Sequence, residues 1–291
     1  MLNNKTVAIA MSGGVDSSVA AALLLQKGYK VIGITMRLWV DKQANVPIDQ
    51  LAATEKDAAT VAEVLGIEHH IIDFTDFFRQ SVVQYFLNEY KAGRTPNPCV
   101  FCNKKVKFGA LYDKARELGA DYLATGHYAR IIEDAEGFKH VAMAKIIAKD
   151  QSYVLYNLNQ EQLNHVMFPL GDYDKVQVRE LAKEFKLPVV NKKDSQDICF
   201  IPDNDYHRFI NSFIHEKRGD IINTKGQILG KHHGISHYTI GQRKGLGIAA
   251  ATPLYVSEID AGKNVVILAD AEESLRDGMI VTEAVFSDGL P

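Results

Sequence analysis

Ser12-Gly13-Gly14-Val15-Asp16-Ser17-Ser18 has the residue types and spacing of an anion cradle. Two adjacent glycines let the backbone take positive φ and come close to a ligand. The apolar run over 19–25 reads as a helix, so the loop is also a helix start. Its free N–H groups and the positive end of the helix dipole would face the anion. Ser12, Ser17 and Ser18 can add hydroxyl donors, and Asp16 can hold a magnesium ion against phosphate charge. The GxxxxGK[ST] pattern is absent, so the loop lacks the lysine that a kinase-type loop sends to a γ-phosphate.

The second chemistry is that of thiols. Cys99 and Cys102 form a C-x-x-C in the Pro-rich stretch Arg94 to Cys102, and Cys199 stands a hundred residues on. Three cysteines, an odd number, argue against a secreted disulfide scaffold. Four uses stay open on the residues alone. Zinc is disfavoured because the C-x-x-C has no partner pair. A three-cysteine iron–sulfur cluster on Cys99, Cys102 and Cys199, with one open iron position, fits the count. A redox pair and a sulfur-transfer relay also fit. A helix reading that begins just after the Pro-rich stretch puts Cys102 at its N-terminus, where a thiolate is stabilised. Lys104, Lys105 and Lys107 add positive charge nearby.

The elements that must position these residues follow from hydrophobic period. Residues 7–11 and 30–36 read as strands, and 69–73 and 121–125 as two more. Helices are expected over 19–27, from Thr54-Glu55-Lys56-Asp57 as a capping box to Gly66, over 75–91, and from Cys102 to Gly119. Residues 40–50 read as a loop. Strands alternating with helices give an α/β, doubly wound parallel sheet, with ligands at the C-terminal ends of its strands. Ser12 to Ser17, Met36 and Gly126 therefore share one crevice. Beyond about residue 200, clustered glycines and short β-like runs signal a small β-rich domain. The expected domains are 1–204, catalytic, and 205–275, small and central. Residues 276–291 read as the beginning of a further, incomplete β-barrel, with a strand over 279–286.

Composition is that of an ordinary globular protein of 291 residues. No apolar run approaches the ~20 residues that span a bilayer, and residues 1–5 lack a signal peptide's layout, so a cytoplasmic, non-membrane protein is expected. The net charge of −3 hides an asymmetry: residues 91–250 hold 24 Lys+Arg against 18 Asp+Glu, and the rest hold 9 against 18. That middle segment can meet a polyanion. The pairs His69-His70 and His232-His233 point to opposite faces in a strand, which favours surface or packing roles over a shared metal. His127 at a strand end suits either packing or ligand contact, and Trp39 reads as core.

The glycine loop resembles that of the ATP pyrophosphatases, which transfer AMP to a substrate oxygen. The wider pattern resembles the tRNA-specific 2-thiouridylases. It is carried by Ser12 to Ser18, Gly33 to Trp39, Thr95-Pro96-Asn97-Pro98 with Cys102-Asn103-Lys104, and Ala124 to Tyr128. Further on come Lys149 to Tyr153, Ser195 to Ile201, and His237 to Gly247. The resemblance implies 2-thiolation of the wobble uridine, position 34, of tRNAs for Lys, Glu and Gln, with release of AMP and pyrophosphate. It implies ATP at Ala10, Met11, Ser12, Gly13, Gly14, Val15, Asp16, Ser17, Met36 and Gly126. Cys102 would be the nucleophile and Cys199 the persulfide carrier, the two closing to a disulfide in each turnover. Asn97, Pro98 and Cys99 would lie near the target base. Lys149, Asp150 and Gln151, and Arg243 with Lys244, would contact tRNA. A persulfide sulfur-donor protein is the implied partner, ATP and Mg2+ the implied cofactors. Many members carry Asp where this chain has Cys99, which keeps the iron–sulfur alternative open; another adenylating ligase is the remaining one.

Overall fold

The computed structural model describes residues 4–44, 48–193 and 198–286. These divide into two compact units. One holds the residues up to Phe78, Cys99–Pro202 and the last few from Ala284; the other holds Arg79–Pro98 and Asp203–Glu283.

The first unit is built on a parallel sheet. Its strands are β1 (Thr6–Ala10), β2 (Lys30–Arg37), β3 (Glu68–Asp73) and β4 (Tyr122–Ala124), with β5 (Ala129–Glu133) and β6 (Lys139–Met143) forming a separate hairpin. The short β7 (Val166–Met167) completes the sheet, in the order β3-β2-β1-β4-β7. Strand alternation builds two cores. Val7 and Ile9 of β1 turn to the face covered by α1 (Val15–Gln26) and α2 (Ile48–Leu65), while Ala8 turns to the opposite face with Ile34, Phe108, Leu111 and Leu123. Each fully buried Val or Ile contributes roughly 1.5–3 kcal/mol before entropy is counted, which keeps β1 central. The chain leaves β1 for β2 on one side and pairs with β4 on the other. The crevice of this switch point thus opens between the residues after β1 and those after β4.

Helices differ from the sequence reading at their starts. α2 begins at Ile48, so Thr54 to Asp57 is helix interior and not a capping box. Residues 48–53 hold no Gly or Pro and are rich in good helix formers, so the helix continues backwards past Thr54. Glu55 and Asp57 instead pair with Arg37 and Lys192. Residues 45–47 of the expected loop lie outside the described residues. The expected helix over 75–91 is present as α3 (Thr75–Phe78), a π-turn over Arg79–Val83 and α4 (Gln84–Lys91). The C-x-x-C stands inside α5 (Pro98–Cys102), which a π-helical stretch, Asn103–Ala110, follows into α6 (Leu111–Glu117). Proline suits a first helical position because its missing N–H would be unpaired there anyway. The helices α7 (Gln160–His165) and α8 (Lys175–Glu184) both start with capping boxes, on Asn159 and Asp174.

The second unit contains α4, α9 (Tyr206–Phe213) and a four-stranded sheet. Its strands are β8 (Gly219–Asn223), β9 (Ile228–His232), β10 (Tyr255–Asp260) and β11 (Val265–Ala269), in the order β10-β11-β8-β9. Ile221, Tyr238, Leu246, Val256 and Val266 fill its core. His232 is fully buried, taking the Gly234 N–H on Nδ1 and meeting the Asn264 carbonyl through Nε2, a packing role. Residues 279–286, read from sequence as a strand, are irregular and mostly exposed, and no strand among the described residues pairs with them.

Candidate nucleotide and thiol site

The glycine loop connects β1 to α1 at the C-terminal edge of the sheet. Gly13 has φ +63°, and a Cβ there would come 2.5 Å from the Thr54 carbonyl oxygen, so both torsion and space require glycine. Gly126, just past β4, packs on the start of α1: a Cβ would lie 2.8 Å from the Ser17 nitrogen. That contact brings the residues after β4 against the helix N-terminus. Met36 stands in β2 and packs on the core of the second face, beside Ala10. The hydroxyls divide their duties. Ser12 is exposed. Ser17 Oγ accepts the Ser12 N–H at 3.2 Å. Ser18 is fully buried and donates to the Gly14 carbonyl at 2.8 Å, so it braces the loop and is not presented to a ligand.

Three groups here were not singled out by the sequence reading. Lys192 Nζ donates to the Gly13 carbonyl at 3.0 Å and to Asp57 at 2.5 Å. Lys175 Nζ donates to Asp16 Oδ1 at 2.7 Å, and the Tyr128 hydroxyl donates to the same oxygen at 2.8 Å. The carboxylate proposed for magnesium thus faces an ammonium, which repels a second cation. Among the described residues no group of three His, Cys, Asp or Glu is arranged to hold a metal ion. The side chains around Asp16 do not fit a protein-held magnesium, since Lys175 and Tyr128 both donate to its Oδ1.

The cysteines nonetheless share one electrostatic neighbourhood. Cys102 is buried while Cys99 and Cys199 are exposed. Burial pushes the Cys102 thiol up to about 11, with Lys107 pulling it down and Cys99 adding to the rise. Cys199 keeps solvent-accessible surface, yet its sulfur sits in dense protein; that desolvation, with Cys102 and Cys99, pushes it up to about 12, again against Lys107. The expectation of a helix-stabilised Cys102 thiolate is therefore corrected. The helix starts at Pro98, so Cys102 is its fifth residue, past the first turn where the dipole acts, and burial dominates. Lys107 also approaches His127 Nε2 at 3.5 Å, while His127 Nδ1 meets Thr125 Oγ1 at 2.7 Å. Desolvation first, then Lys107, holds the His127 ring well below the usual histidine range. A continuous run of contacts thus joins the helix N-terminus through Gly126 and His127 to Lys107. The segment Asp194 to Asp197, next to Cys199, lies outside the described residues.

The remaining sequence candidates are dispersed. Lys149 is exposed. Asp150 takes the Ala144 N–H at 2.7 Å and the Ser152 hydroxyl at 2.6 Å, and Gln151 takes the Tyr128 N–H at 3.0 Å, so both hold the turn together. In the second unit, Asn97 is exposed and Pro98 buried. Arg243 and Lys244 are exposed on a glycine loop that Gly241 and Val256 tie to β10.

A parallel sheet with a glycine-loop helix N-terminus at its switch point defines a nucleotide-binding α/β domain, here joined to a β-rich one. Two family models match the chain: the tRNA methyl transferase HUP domain over residues 5–203 and the tRNA methyl transferase PRC-barrel domain over 207–270. A tRNA-specific 2-thiouridylase of Clostridioides difficile is 48% identical over 295 residues, covering 98% of this chain and 81% of the relative. One of Thermoanaerobacter pseudethanolicus is 53% identical over 286 residues, covering 95% and 78%. The chain belongs to the family of tRNA-specific 2-thiouridylases. No helix among the described residues is long and apolar enough to cross a membrane.

Proposed function

We propose that this chain is a cytoplasmic, ATP-dependent sulfurtransferase that thiolates C2 of the wobble uridine of tRNA, with tRNAs for Lys, Glu and Gln as substrates. The observation that carries the reading is the shared electrostatic neighbourhood of Cys102 and Cys199, each acted on by Lys107 and by Cys99, in the unit that holds the glycine loop. Family membership supports it. The uridine oxygen is a poor leaving group; joining it to AMP makes it a good one. The loop N–H groups and Ser12 would hold the phosphates of ATP, entering with its own magnesium, and pyrophosphate would leave.

Sulfur arrives as the terminal atom of a persulfide on Cys199, loaded there by a donor protein. That sulfur attacks C2 and expels AMP. The Cys102 thiolate then attacks Cys199 Sγ, breaking the S–S bond. The bonding pair stays with the departing sulfur as the thiocarbonyl forms, and Cys102 and Cys199 are left as a disulfide. An external dithiol reduces it before the next cycle. Asn97 to Cys99, Lys149, Arg243 and Lys244 are the proposed tRNA contacts, and the target base leaves its stack to react.

The test is thiolation of tRNA transcripts with ATP and a persulfide donor, using anaerobically purified protein. Wild type is expected to be colourless and active, with C102S and C199S inactive. Activity surviving in both variants would remove the relay. Stoichiometric iron lost in C99S would replace it with a cluster.

A further inference from the structure

Resting on the nucleotide reading above, we infer that His69 is a positioning residue of the anion loop, acting through Thr35 on the peptide bond that joins Met11 to Ser12. Strand alternation sends Gly33 and Thr35 of β2 to the face of the sheet opposite Ile34 and Met36. Thr35 is 1% exposed, a polar side chain buried near the strand's C-terminal end. A buried hydroxyl needs a partner, and this one has two. It donates to the Met11 carbonyl at 2.9 Å and meets His69 Nε2 at 2.8 Å. A threonine hydroxyl has a single proton, which the carbonyl takes, so the imidazole is the donor in the second bond. His69 therefore carries a proton on Nε2. Burial first, then the neighbouring His70, holds the ring below the usual histidine range, and the bond to Thr35 needs no charge.

Gly33 makes the room for this chain of bonds. A Cβ there would come 2.6 Å from Met11 Sδ and 3.1 Å from the His69 ring. A residue of β3 thus reaches across β2 to the end of β1. What the relay fixes is a peptide plane. Thr35 holds the Met11 carbonyl, and Ser17 Oγ holds the Ser12 N–H of the same peptide at 3.2 Å. The Met11 N–H is bound in turn to the Ile34 carbonyl at 2.8 Å. Without Thr35 the Met11–Ser12 peptide is free to rotate its carbonyl oxygen towards the loop that follows. There an oxygen repels phosphate, whereas an N–H attracts it. The relay removes that rotated state before the ligand arrives, which is preorganisation of the loop. No covalent step is involved.

Calorimetric titration of the intact protein with ATP and with pyrophosphate tests this. T35V keeps the shape of the side chain and removes the centre of the relay. It is expected to bind both ligands about 3- to 30-fold more weakly, the effect of one lost hydrogen bond and an unpaired buried carbonyl. H69L is expected to lose a similar factor, and H69Q, whose amide N–H replaces that of Nε2, to recover most of it. Because both side chains act on one peptide, the T35V/H69L double variant is expected to bind no more weakly than T35V alone. Unchanged pyrophosphate affinity in T35V would overturn the inference while leaving the nucleotide reading standing. So would losses that multiply in the double variant, or a lowered urea midpoint with both affinities intact, which would make the bond a brace for the core alone. If T35V does not fold, the H69L and H69Q pair decides, and equal weakening in the two removes the relay. Wild type that fails to bind ATP would end both readings.

Discussion

Lys107 acts on both Cys102 and Cys199. With these thiols raised to about 11 and about 12, both are protonated near neutral pH, and only the thiolate is a nucleophile. Iodoacetamide alkylation of Cys102, followed by mass spectrometry, is expected to rise about tenfold per pH unit from pH 7.5 towards 10, since the thiolate fraction climbs so below the pKa. K107M removes the charge that pulls the thiols down, so alkylation at fixed pH is expected to slow. Unchanged rates would take Lys107 out of the account. The sign for stability is the reverse of a carboxylate's. The raised Cys102 favours folding below the ordinary thiol value of about 8.5, and that contribution is lost as pH rises through about 11. At this scale the sequence was legible where chemistry was contiguous: seven residues of the loop, and a C-x-x-C. Lys175 and Lys192 were not legible, because their partners lie 159 and 179 residues away and a lone lysine carries no local signal.

Two glycines hold the edges of the crevice for different reasons, and substitution separates them from glycines that matter less. Gly126→Ala puts a methyl group against backbone atoms of Asp16 and Ser17, at 3.0 and 2.8 Å, and neither can rotate away. Gly13→Ala adds positive-φ strain to its clash with the Thr54 carbonyl. Overpacking of this kind typically costs about 1–3 kcal/mol, and in both variants the start of α1 moves. Gly137→Ala, at φ +87° with nothing within 4 Å, meets torsional strain alone, about 1–2 kcal/mol. Urea unfolding with parallel ATP titration is expected to show Gly126→Ala losing both stability and nucleotide affinity, and Gly137→Ala losing only stability. Intact ATP binding in Gly126→Ala would mean that β4 does not position the loop. The alternation of apolar strands and helices made the sheet readable in advance. The π-helical stretch after Cys102 was not readable, because i→i+5 pairing leaves no period that a helical pattern distinguishes. Lys107, five residues on from Cys102, stands in this stretch and is the charge that pulls that thiol down.

The composition shift near residue 200 marks where the second unit resumes, but it hides that this unit also contains Arg79–Pro98. The reason lies in aromatic packing across sequence. Phe86 of α4 meets Phe209 of α9 edge-on at 6.0 Å between ring centroids, and both are almost fully buried. Gly93 lies under Ile259 of β10, where a Cβ would come 2.9 Å from Cγ2, and Thr95 donates to Thr239 at 3.1 Å. A fragment of residues 203–283 therefore lacks one wall of its core. Removing a buried phenylalanine's contacts costs about 3–5 kcal/mol, a large share of what a domain of that size has in reserve. The fragment is expected to show weak, non-cooperative urea unfolding and to bind a hydrophobic dye. Residues 79–98 joined to 203–283 through a flexible linker are expected to restore a cooperative transition. Cooperative unfolding of the 203–283 fragment at the joined fragment's midpoint would show that α4 is an ornament on that unit and not part of its core.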